Sequence, residues 1–169
     1  KTWKPENYGK KFYGPSTLRT GIEKSRNLMT VRVAQQVGFD KISKITKDLG
    51  IYKNIPEVLS VSLGSAETTL IKLTNAYCSF INGGKKVTPI FIDRIQDRRG
   101  KTIFKADKRI CIGCVEISHL KDKIPSIKDN REQIISAQTA YQITSMMEGV
   151  VQRGTGRKLR SLNLNLAGK

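Results

Sequence analysis

The sequence has few of the residues from which metal and redox sites are built. It contains one histidine and three cysteines, and an odd number of cysteines fits no closed disulfide framework. Cys111 and Cys114 form a Cys-x-x-Cys pair, but zinc needs four ligands and only Cys78 and His119 are left to supply them. We therefore expect no metal and no cofactor, and a Cys111/Cys114 site stays a minor alternative.

Long apolar runs and phosphate-binding loops are absent as well. No window of 18 or more apolar residues occurs, and the first residues lack the pattern of a signal peptide. Neither standard glycine-rich phosphate loop is found. The chain as given is expected to be soluble. Because it starts without Met and stops inside a predicted strand, we expect it to be a fragment of a longer protein.

Acidic residues are scarce, whereas basic residues are abundant. There are 14 Asp and Glu against 31 Lys and Arg, which gives a net charge of +17. The basic residues are spread along the whole chain in runs no longer than two, a distribution typical of a solvated surface. Such an excess also suits an anionic polymer, so a basic binding module for nucleic acid or cell-wall glycan is the alternative function.

Apolar residues at helical spacing predict four helices in the first half of the chain. Ser25-Arg26-Asn27 lies between the first two, where the short first helix must end before a second begins near Leu28. The predicted buried face of the fourth helix is formed by Leu70, Leu73, Tyr77 and Phe80. The predicted caps and stops, in chain order, are Ser16 or Thr17, Gly38, Asp40, Gly50, Thr68 and Gly83-Gly84.

The second half of the chain changes period. Alternation from Val87 and a turn at Asp97–Gly100 predict a β-hairpin, followed by a polar irregular stretch over residues 105–131. Ser136 is predicted to cap a fifth helix that ends at Gly154. The last residues, 161–169, alternate strictly and predict a strand in which three leucines face one side. That alternation places Lys169 on the opposite side, at the end of the strand.

Three residues of this chain could carry chemistry. Ser25 and Asn27 stand two apart at a helix corner, where they could simply bond to neighbouring backbone groups. In the functional interpretation, the Ser25 hydroxyl shuttles a proton and the Asn27 amide holds a substrate carbonyl. A Lys169 ammonium on a strand could hold a substrate carboxylate beside a nucleophile. Spacing alone does not separate these interpretations.

Taken in order, the motifs resemble the transpeptidase domain of class A penicillin-binding proteins, the bifunctional enzymes that build bacterial peptidoglycan. Ser25-Arg26-Asn27 stands where the family has its S-x-N motif, and Ala167-Gly168-Lys169 is similar to the start of its A-G-K-T-G-T strand. These ordered matches at family-like spacing are together more specific than any one of them. The other matching segments are Trp3–Tyr8, Gly14–Arg19, Leu63–Thr69, Ala76–Gly84 and Gly149–Gly156.

The resemblance implies a fold and a mechanism. The fold is α+β and helix-rich, a partial transpeptidase fold of the serine β-lactamase-like kind, in three parts over residues 1–86, 87–131 and 132–169. A serine nucleophile of an S-x-x-K motif attacks the D-Ala-D-Ala end of a stem peptide and passes the acyl group to an amine; β-lactams trap the same serine. Ser25 would relay protons, Asn27 would bind substrate and Lys169 would hold the terminal carboxylate.

The sequence also departs from the family pattern. No S-x-x-K precedes the S-x-N motif, and the formal match at Ser118 to Lys121 follows it, so no nucleophile is assigned in this chain. The isolated chain is therefore expected to be inactive, while its parent would be a D-Ala-D-Ala transpeptidase or carboxypeptidase at the cytoplasmic membrane, facing the periplasm. The unpaired edge of the strand at 161–169 predicts either pairing into a dimer or partial disorder at the C-terminus.

Overall fold

Helices dominate the structure, a computed structural model that describes residues 3–109, 111–112 and 126–169. The α-helices are α1 Leu18–Glu23, α2 Asn27–Val37, α3 Phe39–Asp48, α4 Leu70–Ile81 and α5 Ala137–Gln152. Two 3₁₀ helices lie at Leu59–Leu63 and Arg157–Leu162. The strands are β1 Arg94–Gln96, β2 Thr102–Lys105, β3 Cys111–Ile112 and β4 Ser126–Ile127. No helix in the described ranges is long and apolar enough to cross a membrane.

Hydroxyl side chains cap the N-termini of α1, α4 and α5. Thr17 accepts a hydrogen bond from the Thr20 N–H at the start of α1, and Ser136 accepts one from the Thr139 N–H at the start of α5. Each bond satisfies a backbone donor that has no partner inside its helix. Both caps are predicted from the sequence, and the structure confirms them.

Two other predicted caps are wrong by one or two residues. Thr69, not Thr68, caps α4, because the Thr68 hydroxyl donates instead to the Ile51 carbonyl at 2.9 Å. Asp40 lies inside the first turn of α3, which begins directly after Gly38. An acidic residue there still faces the positive end of the helix dipole, so it is well placed without capping.

The residues up to Val87 and from Gln133 onward form one compact unit. Its centre is α5, which packs against α1 and α4. Small side chains line the contact, since Ala76 and Ser79 of α4 and Ala140 of α5 are almost fully buried, and small residues let helices approach closely. The remaining core side chains are Val31, Ala34, Leu49, Met147, Val150 and Val151.

Residues Thr88 to Glu132 form a second unit. Within it, β1 and β2 pair antiparallel, and the carboxylate of Asp97 accepts hydrogen bonds from the N–H groups of Arg99 and Lys101 in the turn. The predicted hairpin turn is therefore confirmed, although its first strand begins at Arg94 and not near Val87. β3 pairs with β4 in the described part of the stretch that follows.

The strand predicted over residues 161–169 is wrong. A 3₁₀ helix occupies Arg157–Leu162, and Asn163 adopts a left-handed conformation with φ 51° that interrupts the alternation. A strand requires a ladder of backbone hydrogen bonds to a neighbour. Here the Gly168 N–H donates instead to the carbonyl of Met147 on α5 at 3.3 Å. The edge-strand dimer loses this premise and stays an untested prediction.

Candidate active site

The corner between α1 and α2 places Ser25 in an unusual conformation. The backbone of α1 ends with hydrogen bonds from Ser25 N–H to the Ile22 carbonyl at 3.2 Å and from Arg26 N–H to the Gly21 carbonyl at 2.9 Å. This is the pattern of a helix end whose left-handed position normally carries glycine. Ser25 occupies that position with φ 52°, and its side chain is exposed.

The structure brings Ser25 and Lys169 together from opposite ends of the chain. The ammonium Nζ of Lys169 donates a hydrogen bond to Ser25 Oγ at 2.9 Å across a separation of 144 residues. The backbone around Lys169 is held by Gly168 N–H on the Met147 carbonyl and by the Tyr77 hydroxyl, which donates to the Lys169 carbonyl at 3.3 Å. Partial burial lowers the pKa of Lys169 from its ordinary value, because desolvation disfavours the charged form.

Asn27 is held by the loop that precedes α1. Its side-chain Nδ2 donates to the Glu6 carbonyl at 2.9 Å. In the same loop, Asn7 is buried, and its Oδ1 accepts a hydrogen bond from the Leu28 N–H in the first turn of α2. The structure therefore fixes Asn27 in the half-buried start of α2, while no hydrogen bond joins its side chain to Ser25 or Lys169.

A buried carboxylate anchors this corner to α5. Glu23 is 6% exposed and accepts hydrogen bonds from Arg153 Nη2 at 2.6 Å and Arg153 Nε at 3.3 Å. The Arg153 hydrogen bonds, with further attraction from Arg19, lower the pKa of Glu23. Backbone contacts reinforce the link, because Thr155 N–H donates to the Glu23 carbonyl at 3.1 Å and Lys24 Nζ to the Arg153 carbonyl at 2.6 Å.

Glu23 and Arg153 are absent from the residues predicted from sequence. They lie 130 positions apart, so no local spacing relates them. The interpretation of Gly154 as a helix stop is correct but incomplete. A side chain on Gly154 would collide with the Glu23 carbonyl, and one on Gly149 with the Glu23 carboxylate, so both glycines also allow the close approach of α1 and α5.

The described residues test the alternative metal or redox site only in part. Cys111 is disulfide-bonded and so unavailable as a thiolate ligand, whereas Cys78 is a free thiol. Within residues 3–109, 111–112 and 126–169, no three His, Cys, Asp or Glu side chains form a group that could hold a metal ion. Cys114, His119 and the formal S-x-x-K match at Ser118 and Lys121 lie outside the described residues.

Comparisons with known proteins point to one family. A family model for the penicillin binding protein transpeptidase domain matches residues 1–169. Penicillin-binding protein 1A of Rickettsia bellii is 48% identical over 99% of this chain, and that of Pseudomonas aeruginosa is 34% identical over all of it. The crystal structure of penicillin-binding protein 1A from Haemophilus influenzae has a TM-score of 0.77 at 29% identity, covering 95% of this chain and 27% of that one.

These relatives are much longer than the chain, which spans 22% of the Rickettsia bellii protein and 24% of the Pseudomonas aeruginosa protein. The similarity confirms the predicted fold, because the structural match extends over 95% of this chain with a TM-score of 0.77. The chain therefore belongs to the family of penicillin-binding protein transpeptidase domains.

Proposed function

We propose that this chain supplies the S-x-N motif and the motif lysine of a D,D-transpeptidase that cross-links peptidoglycan stem peptides through a serine acyl-enzyme. The observation that supports this most is the 2.9 Å hydrogen bond between Lys169 Nζ and Ser25 Oγ. Two side chains that the motif order assigns to one site are in direct contact, although 144 residues separate them.

Ser25 is proposed to relay protons. Its hydroxyl accepts a hydrogen bond from Lys169 and keeps its own proton to donate, so it can pass that proton to the leaving amine when the scissile peptide bond breaks. Because the pKa of Lys169 is lowered, its Nζ gives a proton back to Ser25 Oγ more easily. The same ammonium, when charged, would hold the terminal carboxylate of the stem peptide.

Asn27 is proposed to bind substrate through its oxygen. Because one N–H of its Nδ2 donates to the Glu6 carbonyl, the amide orientation is fixed, and Oδ1 is able to accept an N–H of the acyl donor. The serine that becomes acylated is not assigned to any residue of this chain.

The parent protein is proposed to act at the cytoplasmic membrane, facing the periplasm. Its partners would be stem peptides ending in D-Ala-D-Ala and, as inhibitors, β-lactams. Neither a metal nor an organic cofactor enters the proposed reaction, since acyl transfer to and from a serine needs only proton relays and charge stabilisation.

A chimeric enzyme tests the proposal. The aligned segment of the Rickettsia bellii penicillin-binding protein 1A would be replaced by this chain, which covers 22% of that protein. Covalent labelling by a fluorescent penicillin is then followed by denaturing electrophoresis. We expect the chimera to be labelled, and Ser25→Ala or Lys169→Ala to slow labelling about 100-fold, as for the loss of a proton-transfer group.

Two exposed residues provide matched controls for these variants. Ser161→Ala and Lys158→Ala remove the same chemical groups near the end of the chain but outside the proposed site. Labelling rates that fall equally in the controls, or a folded chimera that is never labelled, would contradict the proposal. Thermal melting of each variant identifies any that fail to fold.

The chain alone is expected to form no acyl-enzyme, because no S-x-x-K motif precedes its S-x-N motif. The measurement is incubation of the 169-residue chain with fluorescent penicillin. A stable labelled band whose attachment maps to Ser25 or Ser118 would overturn this expectation.

A further inference from the structure

A pocket of about 450 Å³ lies beside the corner between α1 and α2. Its volume falls in the range of small-molecule sites. One wall is the loop before α1 and the other is a face of α2. Neither Ser25, Asn27 nor Lys169 lines it. The lining side chains that the argument uses are Phe12, Tyr13, Arg26, Leu28, Arg32 and Val33.

Arg26 is fixed in the wall of this pocket without a counter-charge. Its guanidinium lies over the Tyr13 ring, with Cζ 3.1 Å from the ring centroid. Its Nε is shut off from solvent and has no hydrogen-bond partner. A buried donor without an acceptor lowers stability, and stacking on an aromatic ring leaves the edge of a guanidinium free to bind a planar anion.

The rest of the lining sets the character of a ligand. Arg32 adds a second guanidinium from α2, and no Asp or Glu lines the pocket. Neither arginine makes an ion pair with a described carboxylate. Phe12, Leu28 and Val33 supply apolar surface, and Phe12 is 82% exposed, so this surface is open to a bound group. Two positive charges within an apolar wall suit an anion that carries an apolar body.

We propose that this pocket binds a carboxylate attached to an aromatic or alkyl group. The carboxylate would pair with Arg26 and Arg32, and the apolar body would lie against Phe12 and Leu28. Arg26 would then be neutralised at the position between the two polar residues of the S-x-N motif. The proposal rests on this pocket alone and does not depend on the transpeptidase function.

The test uses 4-phenylbutyrate as probe, with the intact 169-residue chain. Binding is measured by calorimetry and by the NMR signal of the Arg26 Nε–H. A probe of roughly a dozen non-hydrogen atoms is expected to bind with a dissociation constant on the order of 1 mM. We expect saturable binding, a shift of the Arg26 signal, and at least tenfold weaker binding by Arg26→Gln and by Arg32→Gln.

Three comparisons decide the outcome. The neutral amide of the probe should bind at least tenfold more weakly, and Arg160→Gln, which removes an exposed charge outside the pocket, should bind the acid like the unchanged chain. No saturable binding, equal binding of acid and amide, or equal loss in Arg160→Gln would overturn the proposal. Displacement by inorganic phosphate at concentrations below those of the probe would also overturn it, because the apolar wall would then contribute nothing.

Discussion

Ser25 holds a backbone conformation that a residue with a side chain adopts only at a cost. At φ 52° its Cβ crowds the following carbonyl, and glycine would avoid that strain. Strained residues of this kind concentrate at functional sites, where the surrounding structure holds them in place. Here the hydroxyl meets Lys169 at 2.9 Å, a contact that glycine could not make. The position therefore holds a residue that can contact Lys169 and not the one that would favour stability.

A pair of substitutions separates the effect of the Ser25 hydroxyl from the effect of the backbone strain. Both Ser25→Gly and Ser25→Ala remove the hydroxyl, but only glycine relieves the left-handed strain, so Ser25→Gly should be more stable than Ser25→Ala by about 1 kcal/mol. Urea unfolding of the isolated chain measures the difference. Because both variants lack the hydroxyl, the chimera should be labelled slowly by penicillin with either one.

Lys10 is a matched control, because it also has φ 52° but lies outside the proposed active site. Lys10→Gly and Lys10→Ala should differ in stability in the same direction while both keep the labelling rate of the chimera. Equal stability of the two Ser25 variants would show that the corner relaxes and carries no strain.

Glu23 should make stability depend on acid. Its folded-state pKa is lowered by Arg153, so its contribution is fully present above the ordinary value of 4.5 and is lost as the pH falls through the lowered value. Glu23→Gln should therefore reduce stability at pH 7, by about 1 to 3 kcal/mol for hydrogen bonds to a charged group, and flatten the decline in acid. Urea unfolding between pH 7 and about pH 3 measures both effects.

Glu148→Gln is the control, since it removes an exposed carboxylate from the end of α5 that lies near Arg153. A Glu23→Gln variant that loses stability in acid as steeply as the unchanged chain would contradict the assigned role of Arg153.

At the level of elements, local signals in the sequence set where helices begin but not which faces they bury. Thr17 and Ser136 are correct caps because a cap depends only on bonds within one turn. The predicted face of α4 is wrong at Leu70 and Leu73, which are 82% and 42% exposed, whereas Ala76 and Ser79 are almost fully buried. Periodicity favours large apolar residues, while a close helix contact selects small ones.

Gly149 should reverse the usual preference for alanine over glycine in a helix. In an ordinary helix interior, Gly→Ala stabilises by up to about 1 kcal/mol. At Gly149 an added Cβ would meet the carboxylate of Glu23, so Gly149→Ala should destabilise by about 1 to 3 kcal/mol, as overpacking does. Urea unfolding of the isolated chain gives the sign directly.

A second substitution identifies the cause. Combining Gly149→Ala with Glu23→Ala removes the colliding carboxylate, so the double variant should lose less stability than the two single changes added together. Strict additivity would mean that Gly149 is needed for some reason other than its contact with Glu23.

At the level of the whole molecule, the most prominent property is the large positive net charge. A net charge of +17 favours association with any polyanion, and it is the observation behind the alternative function. We expect binding to duplex DNA to be independent of sequence and to weaken steeply with salt, with a slope of log affinity of about −0.9 per neutralised phosphate. Fluorescence anisotropy with two unrelated duplexes at several salt concentrations checks this. Tight, sequence-selective binding at moderate salt would favour the alternative.

The order of motifs predicts the family better than any geometric argument does. The matching segments remain recognisable in sequence, because each depends on residues close together in the chain. The hydrogen bond of Lys169 to Ser25 and the pairing of Glu23 with Arg153 join residues 144 and 130 positions apart, so no local period contains them. The tail shows the same limit: its alternation predicts a strand, but the backbone partner it meets belongs to a helix.

Two carbonyl groups near the end of α5 hold the two chain segments that form the proposed site. The Met147 carbonyl receives the tail that carries Lys169, and the Arg153 carbonyl receives Lys24, next to Ser25. The six residue steps from Met147 to Arg153 correspond to about 9 Å along a helix and somewhat less than two turns. One residue inserted between them would rotate one attachment by about 100° relative to the other. The distance between Ser25 and Lys169 therefore depends on the spacing of these two carbonyls, although α5 contributes no side chain to the contact.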